Sequence, residues 1–317
     1  MTHEDDTNPE QLDDELDFEW GGDGSDLNQP VHAHVAAVLQ PHTADYAPPL
    51  DQLLRIGSPH EKPNTAAKIA QIGFTQEHVP DLVRMTRDRA LQLAKGDTDE
   101  SWAPIHALAA LERLDVGEHV ADLMPLFDLD SEWFGEGLPD VLKHAGASVL
   151  EPLRAYVQDT TRWIYGRTYA LSTFSELVKL QPELRDQAIQ ILGETLTRAS
   201  ENDPYVNADI IHELTHLQAV EALPVIQQAF EQDLVDESVM GGWTEVLEAL
   251  GQPPDPADPL VARERERWGA QLQPRLSSPS GGVSPAPSRK PGKAAKQKNK
   301  RKMSATSRKT NKKKKRK

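Results

Sequence analysis

Hydrophobic residues recur with a helical period from about Asn64 to Gly251. Ile105, Leu108 and Leu111 follow this spacing in one segment, and Val206, Ile210, Leu214 and Leu217 follow it in another. Such a period over segments of about 10 to 18 residues is typical of amphipathic helices, and the alternation typical of strands is weak. The pattern therefore predicts an all-α protein.

Prolines mark the predicted starts of successive helices. Proline suits the first helical turn, where its missing N–H has no intrahelical partner to lose. The prolines concerned lie 27 to 45 residues apart and are Pro80, Pro125, Pro152, Pro182 and Pro224. Because this spacing is close to the length of one helix-turn-helix repeat, we predict a HEAT-like α-solenoid of about five helical hairpins over residues 64–251.

The flanking segments have a different composition. Residues 1–29 are acidic and are expected to be disordered, and residues 30–63 predict an irregular Pro/His-rich cap with a helical patch at Leu50–Ile56. Residues 252–276 are Pro-rich, with one last helix expected from Arg263 to Leu272. Residues 277–317 predict a disordered linker followed by a lysine-rich tail.

Charge is distributed unevenly along the 317 residues, whose net charge is −15. Residues 289–317 contain sixteen Lys or Arg and no acid, which leaves 19 basic against 50 acidic residues in the rest of the chain. The absence of cysteine excludes disulfides and thiolate metal sites. No export signal and no run of about 18 apolar residues is recognisable, so we expect a cytoplasmic protein without stable membrane association.

The basic tail is a candidate nucleic-acid-binding segment. Lysine and arginine clusters neutralise phosphates independently of sequence, and no aromatic residue is present here to stack on bases. The candidate residues are Lys296, Lys298, Lys300, Arg301, Lys302, Lys312, Lys313, Lys314, Lys315, Arg316 and Lys317. The partner would be RNA, including ribosomal RNA, DNA or another polyanion. Alternatively, the tail docks on the chain's own acidic body and regulates an adaptor.

One motif has the spacing of a zinc enzyme. His212-Glu213-Leu214-Thr215-His216 is an H-E-x-x-H sequence, in which two histidines one helical turn apart bind zinc and the glutamate acts as base. Catalytic zinc needs a third ligand, for which Glu237 is the candidate. A helical wheel turns His212 and His216 away from the apolar face, which favours exposed histidines or an adventitious surface site over a hydrolase.

Two further features are candidates for binding. His106 lies in an apolar run and is expected to be a core-edge histidine bonded to a carbonyl rather than a catalytic group. Trp133 and Phe134 lie among acidic residues in a predicted inter-helix loop. Exposed aromatics are enriched in interface hot spots, so these two are the predicted protein-binding residues.

Several short motifs resemble an uncharacterised bacterial family of HEAT-like repeat proteins over roughly residues 45–251. They are the sequences around Trp102-Ala103-Pro104-Ile105-His106, the Gly137-Leu138-Pro139 turn, Ala222-Leu223-Pro224-Val225-Ile226 and Gly241-Gly242-Trp243. Members of that family often end in a zinc motif similar to the C-terminal tip of SecA, whereas this chain has a lysine-rich tail. The resemblance implies a fold and no activity. We therefore predict a non-enzymatic scaffold for an unknown protein partner, with no catalytic residue and no cofactor, and keep a zinc hydrolase and a tail-regulated adaptor as alternatives.

Overall fold

The computed structural model describes residues 38–94 and 98–272. Its α-helices, numbered along the chain, are α1 (Thr65–Ile72), α2 (Val79–Thr86), α3 (Arg89–Gln92), α4 (Ala103–Leu111), α5 (Val120–Leu123), α6 (Glu132–Leu142), α7 (Leu150–Gln158), α8 (Ile164–Leu180), α9 (Arg185–Leu196), α10 (Pro204–His216), α11 (Leu223–Glu231), α12 (Glu237–Met240), α13 (Trp243–Ala249) and α14 (Pro259–Leu272). The 3₁₀ helices are Leu50–Arg55, Gln76–His78, Asp99–Trp102, Gly117–His119, Met124–Asp128, Lys143–Val149, Pro182–Leu184, Ala199–Glu201 and Val220–Ala222.

The prediction of an all-α protein is confirmed. Within the described residues the only β-type pairing is an isolated bridge between Gln40 and Asp88. The helical patch expected at Leu50–Ile56 is the 3₁₀ helix Leu50–Arg55, and the last helix, α14, begins at Pro259. The described helices up to Glu266 belong to one compact unit, and residues from Arg267 onward form a second unit, of which the structure describes the end of α14.

The proline signal located helix starts correctly. All five marked prolines occupy the first three residues of an α-helix or a 3₁₀ helix. Aspartates cap other helices: the Asp203 carboxylate accepts a hydrogen bond from the Tyr205 N–H at the start of α10, and Asp88 does the same for Ala90 at the start of α3. These caps satisfy backbone donors that have no partner inside the helix.

Alternate helices pack against one another. The series α2, α4, α6, α8, α10 and α12 is continuous, each member contacting the next, while α7 contacts α9 and α9 contacts α11. One hydrophobic core runs through both series from Val38 to Val261. The all-α class is thus established, while the solenoid, its repeat number and the domain boundaries stay predictions.

Helix α6 corrects two expectations from the sequence. Residues 133–135 were predicted in a loop and Gly137-Leu138-Pro139 in a turn, but all of them lie within α6. A Cβ atom on Gly135 would lie 2.5 Å from the ring of Tyr169 on α8, and one on Gly137 would lie 2.8 Å from Leu108 on α4. The two glycines therefore allow close helix packing instead of forming a turn, and burial of Phe134, Leu138 and Pro139 outweighs the local helix-breaking tendency.

Candidate functional site

A cleft of about 460 Å³ opens between α4, α6 and the segment 59–69. Helix α4 contributes Ile105, Leu108 and Ala109 to its floor, and the first turns of α6 form one wall. The volume lies within the range of about 300–1,000 Å³ that is usual for small-ligand pockets. The cleft is therefore large enough for one or two side chains of a binding partner.

Three aromatic rings meet at the edge of this cleft. Trp133 is 39% exposed and is one of three exposed large hydrophobic residues in the described part of the chain. Its ring contacts His60 edge-on, with centroids 5.3 Å apart, and Trp102 at 6.1 Å, while His60 and Trp102 are 5.9 Å apart. These edge-to-face contacts hold Trp133 in place at the cleft while part of the residue remains exposed.

Carboxylates surround the aromatic cluster. Among the described residues that line the cleft, four are acidic, namely Glu112, Glu132, Glu136 and Asp140, and none is Lys or Arg. Burial raises the pKa of Glu112, and the negative charge of Asp140 raises it further. Lys143 lies just outside the lining and pairs with Asp140 at 2.6 Å. The described lining of the cleft thus contains acidic side chains and no Lys or Arg, a composition that favours a cation.

His106 lies at the base of the cleft and is buried. Its Nε2 atom is 2.8 Å from the Gly57 carbonyl oxygen, and burial lowers the pKa of the imidazole. The expectation of a core-edge histidine bonded to a carbonyl is confirmed. This hydrogen bond connects the backbone just after the 3₁₀ helix Leu50–Arg55 to α4, which lines the cleft.

The prediction that Phe134 is exposed for protein binding is wrong. Its side chain is 1% exposed and belongs to the hydrophobic core. Trp133 and Phe134 are neighbours on α6, and a step of about 100° per residue directs them to different sides of the helix. Trp133 alone of this pair is available to a partner.

The H-E-x-x-H sequence lies in the second half of α10. His216 is exposed, as the helical wheel predicts, whereas His212 is only partly exposed and Glu213 is 6% exposed. One ligand atom from each of His212, Glu213 and His216 lies within 4.8 Å of the others, and the two imidazole rings are 4.1 Å apart. Glu237, predicted as a distant third ligand, does not belong to this group of described residues.

Helix α10 carries two acids with little exposure to solvent. Asp209 is partly buried and Glu213 is buried. Burial raises the pKa of each carboxyl to about 7. For Glu213 the side chain of Ser175 on α8 opposes this shift, and the charge of Asp209 adds to it. Perturbed acids of this kind occur preferentially at functional sites, although structural networks also produce them.

The comparisons with known proteins give a partial match. Residues 127–251 match a family described as "Protein of unknown function (DUF1186)". No curated protein and no solved structure matches the chain. The matched segment runs from just before α6 to the end of α13, so it includes Trp133 and the H-E-x-x-H sequence but not His60, Trp102 or α4.

Several residues of the cleft escaped the sequence reasoning. His60 is 73 positions from Trp133, and no local pattern relates them. Glu136 and Asp140 are four residues apart and so share one face of a helix, a signal that is visible only once α6 is recognised as helical. Asp209 stands one turn before Glu213 and could have been found in the same way.

Some sequence predictions lie outside the described residues. These are the acidic segment 1–29, the first part of the predicted cap (30–37), and the linker and lysine-rich tail (277–317) with every candidate residue between Lys296 and Lys317. Across the described ranges, no helix has both the length and the apolar character needed to cross a bilayer.

Proposed function

We propose that this protein is a non-enzymatic helical scaffold that binds a basic segment of a partner protein at the Trp133 cleft. The observation that carries the proposal is the partly exposed Trp133, whose ring is held by His60 and Trp102 at the edge of a carboxylate-lined cleft. A Lys or Arg side chain lying over an indole face gains about 0.5–2 kcal/mol, depending on how far it is desolvated.

The charges of the cleft support the same class of partner. Glu112, Glu136 and Asp140 line the cleft, and carboxylate oxygens accept hydrogen bonds from guanidinium and ammonium groups. An arginine is favoured over a lysine, because its planar group stacks on indole while its edge donates to a carboxylate. The proposed occupant is therefore an Arg-containing basic peptide.

The cleft is tested with a fluorescent peptide rich in Arg and Lys. We expect Trp133→Ala to weaken binding about tenfold, which corresponds to about 1.4 kcal/mol. The double variant Glu136→Gln/Asp140→Asn is expected to weaken binding further at low salt, because it removes two charges from the lining. Fluorescence anisotropy on the full chain and on a chain that ends at residue 288 measures both effects.

Two controls separate this site from general charge attraction. Glu183→Gln removes an exposed acid outside the cleft and should leave the affinity unchanged. A peptide with Gln in place of each Arg and Lys should not bind. Equal affinities of Trp133→Ala and the unaltered chain would refute the proposal. Weaker peptide binding by the full chain than by the chain ending at residue 288 would instead identify the chain's own tail as the occupant, as a tail-regulated adaptor requires.

We further propose that the Lys/Arg-rich tail adds affinity for RNA, DNA or another polyanion. Sixteen positive charges without an intervening acid support this function, and the acidic remainder of the chain would be repelled from phosphates. The tail would therefore act as a tether, while the helical body stands away from the nucleic acid.

The tail is tested by mobility shift with single-stranded RNA of mixed sequence. We expect the full chain to bind and the chain ending at residue 288 to show no shift. The logarithm of the binding constant should fall linearly with the logarithm of salt concentration, by about 0.7 for each phosphate neutralised. Similar affinities for two unrelated RNA sequences would match a tail without base-stacking aromatics. Binding that persists without the tail, or that ignores salt, would contradict this function.

A further inference from the structure

Glu213 is a buried acid that interacts with the Ser175 side chain, yet one of its two carboxyl oxygens is left without a hydrogen-bond partner. Its Oε2 atom is buried and has no hydrogen-bond partner among the described residues. A buried carboxylate oxygen is normally paired with a donor or a metal ion, since leaving it unpaired is costly. The same carboxylate lies beside the two imidazoles of the H-E-x-x-H sequence.

We propose that His212, Glu213 and His216 bind one divalent transition-metal ion, with Zn²⁺ as the best match. Two histidines one helical turn apart present nitrogen atoms toward the same point, and a carboxylate oxygen is a common third ligand of zinc. The proposal does not depend on the Trp133 cleft.

The observed distances suit such a site before an ion is bound. A tetrahedral ion about 2.1 Å from each ligand atom holds the ligand atoms about 3.4 Å apart. The three ligand atoms here lie within 4.8 Å of one another, and His216 is exposed, so its ring has room to turn toward the other two ligands. An ion held there would lie beside the Glu213 carboxylate, one oxygen of which has no hydrogen-bond partner among the described residues.

The arrangement favours a binding site over a hydrolase. In H-E-x-x-H enzymes the glutamate is a base beside the metal and a third ligand comes from elsewhere in the chain. Here the glutamate itself completes the set of three, and no further acid or histidine of the described chain joins the group. The fourth position would hold water or a ligand from a partner.

The site is tested by isothermal titration of the full, metal-free chain with Zn²⁺, and by absorption spectra after addition of Co²⁺. We expect one tight site per chain, with the intense visible bands of tetrahedral Co²⁺. His216→Ala should weaken this binding at least a hundredfold. Glu213→Gln keeps the shape of the side chain and removes its charge, and it should weaken binding at least tenfold.

Matched controls separate this site from adventitious binding. His119→Ala removes a histidine that lies outside the group and should leave affinity and spectra unchanged. Far-UV circular dichroism of each variant verifies that the helices remain. Unchanged zinc affinity in Glu213→Gln would reduce the site to an ordinary pair of surface histidines and overturn the proposal. The proposal would also be overturned if His119→Ala weakened zinc binding as much as His216→Ala does.

Discussion

The Phe134→Ala variant is expected to lower the free energy of unfolding by about 3–5 kcal/mol, whereas Trp133→Ala lowers it by about 1 kcal/mol or less. Phe134 is fully enclosed between α6 and its neighbours, so its removal leaves a cavity as well as less buried apolar surface. Trp133 is partly exposed, and water can fill the space that its ring leaves. Urea denaturation of the full chain, followed by circular dichroism at a helical wavelength, measures both values.

A conservative replacement tests the origin of this difference. Phe134→Leu retains most of the volume and should lose less than about 1.5 kcal/mol. Equal losses for Phe134→Ala and Trp133→Ala would show that the two side chains do not differ in burial as described. The two variants also separate effects on stability from effects on binding, because only Trp133→Ala is expected to weaken binding of the basic peptide.

The same two residues show where sequence reasoning succeeds and fails. Phe134, Leu138 and Val141 have the spacing of a buried helical face, so the signal for a helix was present. Nearby acids, two glycines and Pro139 nevertheless favoured a loop, because those residues usually mark turns. The decisive contacts are with Tyr169 and Leu108 on other helices, and local sequence does not contain them.

The starts of helices and the surroundings of His106 were easier to predict from the sequence than the course of α6. Prolines at the first turn reflect a local backbone constraint, and His106 reflects its own apolar run, so neither requires knowledge of distant partners. The cleft does require it, since His60 reaches Trp133 only through the packing of the segment before α1 on α4 and α6. Burial of Glu213 is likewise decided by which helix covers that flank of α10.

A buried polar chain links successive helices and explains why one arginine lies in the core. Arg167 on α8 is 1% exposed and donates through Nε and Nη2 to the Val157 carbonyl oxygen, at 2.9 and 2.6 Å. That carbonyl lies in the last turn of α7, where backbone acceptors have no partner within the helix. Nη2 also donates to Asn202 Oδ1 at 2.6 Å, just before α10.

Asn202 extends this chain to the next pair of helices. Its Nδ2 atom donates to Asn207 Oδ1 at 3.0 Å, and Asn207 in turn donates to the Leu234 carbonyl oxygen at 2.8 Å, after α11. Polar groups in a nonpolar interior stabilise a fold only when each has its partner. Arg167 is the first member of the series, so its loss leaves acceptors unpaired at two helix ends.

Arg167→Ala is accordingly expected to lower the free energy of unfolding by about 3–5 kcal/mol, from the cavity and from the unpaired acceptors together. Arg167→Met fills most of the space without donating a hydrogen bond, so its loss measures the polar part and should be about 2–3 kcal/mol. The stability of Arg167→Lys should lie between that of Arg167→Met and that of the unaltered chain, because an ammonium group cannot reproduce the planar fork of donors.

Urea denaturation measures the free energy of unfolding of all three variants. The control is Arg198→Ala, which removes an exposed arginine paired with Glu201 and should leave the free energy of unfolding unchanged. If Arg167→Met were as stable as the unaltered chain, the hydrogen-bond chain would contribute specificity of packing rather than stability, because filling the volume alone would then suffice.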